Sequence, residues 1–194
     1  METKELHPRN LQQWRSWLKA NHQSAKNVWL VLHKKSSPGP GIDYAQAVEE
    51  ALCFGWIDSK PQKKNNHTYI LYFAERKGGS VWSKLNKKRI SRLIKDGRMT
   101  PAGMKKIEAA KADGTWSTLD PVDTLQIPED LGKVLAKNNK ARKNFESFPA
   151  GIKKQLVYWV LSAKREETRA ARVKEIVSKA ARNERANQWV KKNP

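Results

Sequence analysis

A single cysteine, Cys53, occurs among 194 residues. One thiol excludes an internal disulfide framework and any centre that needs two thiolates. Histidine is scarce as well. His7, His22, His33 and His67 match no metal-ligand or triad spacing, so no metal, no cofactor and no catalytic nucleophile pair is expected. Long apolar runs are missing: none exceeds the six residues of Leu156 to Leu161, against the ~20 of a spanning helix. The opening residues Met1 to Glu5 are charged, with no apolar region behind them, and a cytoplasmic location is therefore expected. Acidic residues are few, 19 against 39 Lys and Arg, for a formal charge of +20. Such an excess predicts an anionic partner, either nucleic acid or an acidic ligand.

What is present argues for a folded chain. Eight tryptophans and regularly spaced apolar residues accompany the charge, so disorder is not expected. The charge is uneven: residues 1 to 83 carry 12 basic and 7 acidic groups, residues 84 to 131 carry 10 and 7, and residues 132 to 194 carry 17 and 5. More than half of the excess lies in the last third.

Periodicity predicts a helix opening at Pro8 with Leu11, Trp14 and Leu18 inward, then a buried strand over Val28 to Leu32. After the Ser36 to Gly41 loop, Asp43 caps a helix ending near Gly55. Trp56 to Ser59 and Thr68 to Phe73 read as a hairpin. From Ser83 onward the pattern is helical: Lys84 to Asp96, a helix restarted at Thr100-Pro101, a Pro121 to Pro128 connector, and helices near Glu129 to Phe145, Ala150 to Ala163 and Glu166 to Asn183. The fold class is α+β, with a small antiparallel sheet of about three strands in front and a helical, bundle-like rear half. A single domain over 1–194 is expected, with an internal boundary near 116–128 separating an α+β part, 1–115, from a helical part, 129–194.

Five segments stand out: Ala51-Leu52-Cys53-Phe54-Gly55-Trp56-Ile57-Asp58-Ser59, Phe73-Ala74-Glu75-Arg76, Ser80-Val81-Trp82-Ser83-Lys84-Leu85-Asn86, Ala110-Lys111-Ala112-Asp113-Gly114-Thr115-Trp116, and Ala163-Lys164-Arg165-Glu166-Glu167-Thr168-Arg169. In this order and spacing they resemble the bacterial YdeI/OmpD-associated (OmdA-like) family, also labelled bacteriocin-protection proteins, over nearly the whole chain. One departure is Glu75, where the family pattern has proline before the arginine. The resemblance implies a stress or antimicrobial-resistance association and supplies no reaction. A chain at +20 repels cationic peptides, so protection would be indirect.

Two constellations are candidates for binding. Cys53, at a helix end, reads as a buried inert thiol. Asp58 and Arg76 fall on neighbouring strands, with Trp56 and Trp82 as pocket walls and Ser80, Ser83 and Asn86 as hydrogen-bonding groups at a helix start, a composition suited to an anion or carboxylate. The alternative is an internal Asp58 to Arg76 ion pair within a tryptophan core. In the rear half, Arg165, Arg169 and Arg172 share one helix face and could follow a phosphate backbone, or form a solvated face. A binding function is expected ahead of catalysis.

Overall fold

A computed structural model describes residues 5–188. They form two compact units, the first ending at Thr118 and the second opening at Leu119.

The first unit is built on a sheet of four strands among the described residues: β1 (Glu5–Leu6), β2 (Asn27–His33), β3 (Trp56–Lys63) and β4 (Thr68–Glu75), in the order β1-β2-β4-β3. β1 runs parallel to β2, and the other pairings are antiparallel. Three strands were expected. The fourth, β1, has two residues, too short for alternation to register in a sequence. Pro61 lies inside β3, which is tolerable because β3 is an edge strand and its register shifts between Asp58 and Pro61.

Four helices complete the unit: α1 (Leu11–Asn21), α2 (Tyr44–Cys53), α3 (Lys84–Lys95) and α4 (Pro101–Ala112). Each starts where a short polar side chain accepts a hydrogen bond from the first turn: Asn10 from the Gln13 N–H, Asp43 from Gln46, Ser83 from Asn86 and Thr100 from Gly103. The first helix therefore opens at Leu11, not Pro8. Asp43 and Gln46 satisfy each other in a full capping box.

The core gathers alternate residues of one sheet face, Val28, Leu30, Leu32, Leu71, Phe73 and Trp56, against Trp14, Leu18, Val48, Ala51 and Cys53 of α1 and α2. Gly55, at φ +75°, ends α2 in the left-handed region and turns the chain into β3. The N-terminal turn of α4 packs on the end of α2, where a Cβ at Gly103 would stand 2.3 Å from the Cys53 carbonyl oxygen. Thr100 bonds that same carbonyl through its hydroxyl at 2.6 Å and its N–H at 3.1 Å.

The second unit is helical among the described residues: α5 (Asp120–Asp123), α6 (Glu129–Ala136), α7 (Asn139–Ser147), α8 (Ala150–Leu161) and α9 (Glu166–Ala181). Leu131, Leu135, Phe145, Leu156, Val160, Val173 and Ile176 make its core. The single helix expected over 129–145 is two, because Asn138 accepts from the Ala141 N–H and starts a new one. A short helix also occupies the connector.

Candidate functional site

The first unit fully buries three tryptophans, and their indole N–H groups fare differently. Trp14 donates to the Ala47 carbonyl at 3.0 Å and Trp56 to the His22 carbonyl at 3.1 Å. The Trp82 N–H has no partner. Buried indole N–H groups normally find one.

Over the Trp82 ring lies Arg76, its guanidinium carbon 3.7 Å from the ring centroid. Arg76 continues the β3–β4 ladder by one residue, since its N–H donates to the Gly55 carbonyl at 2.9 Å. Its side chain is then carried under the loop to α3. Nη1 donates to the Val81 carbonyl at 3.0 Å, and Nε is buried without a partner. Arg76 is 5% exposed and Trp82 2%. Among the described residues no ion pair joins Arg76 to a carboxylate. Burial draws its guanidinium down to about 10, and the charge of Asp58 opposes that shift from a distance. A buried charge without a paired partner is costly, by several kcal/mol for an ion in a real interior.

Arg76 and Trp82 line a cleft of about 80 Å³ together with Lys77, Ser80, Lys106 and Thr115. Side chains that donate hydrogen bonds predominate there. The carboxylate in the lining, Asp113, is already engaged by the Thr115 hydroxyl at 2.6 Å and N–H at 2.9 Å, which hold it below its ordinary range. Since water occupies about 30 Å³ in the liquid, this cleft has room for one small oxyanion or carboxylate group.

The seven residues expected to share a site divide. Arg76, Ser80 and Trp82 meet in the cleft. Trp56 is core. Asp58 accepts from the Tyr44 hydroxyl at 3.0 Å, and Asn86 accepts from Arg89 at 2.9 Å. Ser83 is spent on the α3 cap. The hairpin does align Asp58 with Phe73, but Arg76 lies three residues beyond Phe73 and turns to Trp82. Lys106 and Thr115 escaped the sequence reading as site residues, although Thr115 belongs to the Ala110 to Trp116 motif. Glu75, which stands where proline was expected, pairs with Lys106 at 2.7 Å on the rim.

In the second unit, Arg169 grips Asp130 through two bonds, at 2.6 and 2.9 Å. Arg172 donates to the Trp159 carbonyl and, at 3.1 Å, to the Ser162 hydroxyl. Arg165 is exposed ahead of α9. Cys53 is buried, and desolvation followed by the Glu50 charge pushes its thiol up to about 11.

Residues 6–106, just over half of the chain, match the family described as Domain of unknown function (DUF8412). The chain belongs to that family. Residues 124–183 match the family described as Bacteriocin-protection, YdeI or OmpD-Associated (OmdA). The OmdA match covers the helical unit from Thr124 onward and includes the Ala163 to Arg169 motif. The Ala51 to Ser59, Phe73 to Arg76 and Ser80 to Asn86 motifs, and with them Arg76 and Trp82, lie in the DUF8412 stretch instead. No curated protein and no solved structure matches the chain.

Proposed function

We propose that this is a bacterial cytoplasmic binding protein whose ligand presents a small oxyanion or carboxylate to Arg76, with a link to bacteriocin resistance through its OmdA domain. The carrying observation is the buried guanidinium without a carboxylate, stacked on an indole whose N–H also has no partner. An external anion in the cleft supplies the charge that the fold omits, accepting from the Arg76 guanidinium. Lys77 adds positive potential at the mouth, while Lys106 is balanced by Glu75. The description of the family matched by residues 124–183 supports a resistance role. The net charge argues against direct capture of a cationic peptide. The rival reading, phosphate contact through Arg165, Arg169 and Arg172, is less well supported, because Asp130 and the Trp159 carbonyl already occupy two of the three.

Sulfate, whose charge is constant over the working pH range, is a suitable probe. Sulfate is expected to raise the Tm of the full chain more than sodium chloride at equal ionic strength, since a ligand at a hundred times Kd stabilises the folded state by about 2.7 kcal/mol. Arg76→Met keeps an unbranched apolar stem and removes the charge. The variant should keep its fold and lose the sulfate-specific shift. Equal shifts with sulfate and chloride, or an unchanged sulfate response in Arg76→Met, would overturn the reading.

A further inference from the structure

Another cleft of the first unit shares no lining residue with the Arg76 site and is larger, about 600 Å³. Its volume falls in the range of small-molecule sites, ~300–1,000 Å³. One wall is the Pro38 to Gly41 loop. Tyr44, which opens α2, and Tyr69 on β4 also line it.

The polar groups in this cleft are not evenly matched. Lys34, Lys35 and Arg89 bring three positive charges, with the Lys34 ammonium turned to the Asn65 and Asn66 carbonyls, against the carboxylates of Asp43 in the lining and of Asp58 beyond the Tyr44 hydroxyl; Asp43 already accepts from the Gln46 N–H at 2.8 Å in the α2 cap. Arg89 is only partly neutralised, because Glu49 is shared among Arg89, Arg92 and Arg98. Beside them stands His33, whose two ring nitrogens are both shielded from solvent and without a partner.

Tyr44 is 42% exposed, so its ring is open to a ligand in the cleft. Its hydroxyl is fixed by donation to Asp58, and the Arg89 guanidinium lies 5.9 Å from its ring centroid. Burial, then the negative charge of Asp58, raises both the Tyr44 and Tyr69 hydroxyls above the usual phenol range. Both stay neutral, as stacking faces and hydrogen-bonding groups rather than nucleophiles.

We infer that this cleft binds a flat-ringed organic anion of about mononucleotide size, the ring between Tyr44 and Tyr69 and the anionic group toward Arg89 and Lys35. The phenols favour a flat ring over an aliphatic one, and the Lys35 ammonium and the shared Arg89 guanidinium in the lining favour an anion over a neutral ligand.

The test uses the full chain and three probes: adenosine 5′-monophosphate for ring and charge together, adenosine for the ring alone, and inorganic phosphate for the charge alone. Calorimetric titration at low ionic strength is expected to show the monophosphate binding at least tenfold more tightly than either fragment. Amide shifts in a nitrogen-15 spectrum should cluster at 33–46, 69 and 89. Lys35→Gln, at an exposed position that the fold does not need, should weaken binding about fivefold, and Arg89→Gln at least as much. Three results would each overturn the inference: no binding up to 10 mM, affinity no better than that of adenosine or phosphate, or shifts confined to residues outside the cleft. Failure of sulfate at Arg76 leaves this result standing, because the two sites have no residue in common.

Discussion

At the scale of single residues, the interior sorts side chains by whether their polar atoms are satisfied. Cys53 is surrounded on the α2 side by core and on the other by the α4 turn whose Thr100 takes its carbonyl. With its thiol pushed up to about 11, roughly one molecule in a thousand carries a thiolate at pH 8, and the thiolate is the reactive form. Native protein is therefore expected to resist iodoacetamide at pH 8 for as long as it stays folded, with alkylation appearing at the rate of unfolding in denaturant. Stoichiometric labelling of the native chain within minutes would contradict this. The inert thiol was legible from one cysteine at a helix end. The Arg76 site was legible only as a set of residue types: Arg76, Ser80 and Trp82 stay together because four to six residues of loop join them. Asp58 and Asn86 do not, because strand parity and the α3 helix carry them toward Tyr44 and Arg89. Sequence spacing constrains neighbours along a chain, and a site assembled across a sheet and two helices depends on packing that spacing does not encode.

At the scale of elements, the local signals that were readable are those with a local cause. Asp43, Ser83 and Thr100 cap their helices through bonds spanning three residues, so their positions follow from sequence. β1 exists only because β2 offers it a parallel partner, and no property of Glu5 and Leu6 announces that. The same contrast holds for α9. Its arginines at i, i+4 and i+7 were visible as a stripe, whereas the carboxylate that claims one of them comes from α6, far away in sequence. Asp130 and Arg169 clamp those two helices, and the hydrogen bonds from Arg169 hold the Asp130 carboxyl below its usual range. A carboxyl whose folded value is depressed stabilises the fold above its unfolded value, about 3.9. That stabilisation is lost as pH falls through the lower folded value. Both groups are about a third exposed, so solvent screening limits the effect to about 0.5–1 kcal/mol. Urea titrations at pH 7 should find Asp130→Asn less stable than the parent by that amount, and the two should converge near pH 2. A gap that persists at pH 2 would mean that the asparagine disturbs packing instead.

At the scale of the whole molecule, the charge of +20 invites the view that net charge governs stability. The distribution of ion pairs argues that location governs it. Glu50 is 1% exposed and holds both Arg15 and Arg98, the latter at 2.8 Å, while Arg15 also donates to the Arg98 carbonyl at 3.2 Å. Through these contacts one buried carboxylate ties α1 and α2 to the segment between α3 and α4. Glu167, by contrast, sits exposed in the first turn of α9. Replacing either by glutamine raises the formal charge to about +21, so long-range self-repulsion grows by the same step in both variants. If net charge were decisive, their stabilities would fall together and recover together in salt. The structure predicts otherwise. Glu167→Gln should lie within about 0.5 kcal/mol of the parent, as surface substitutions do, and much of that difference should vanish between 50 and 500 mM sodium chloride, where the Debye length shrinks to a few ångströms. Glu50→Gln leaves two arginines facing a buried site without their counter-charge and should cost about 3 kcal/mol, most of it still present at 500 mM because ions do not reach the carboxylate. Denaturant midpoints for the three proteins at the two salt concentrations separate the views, since equal losses in the two variants would return the argument to net charge.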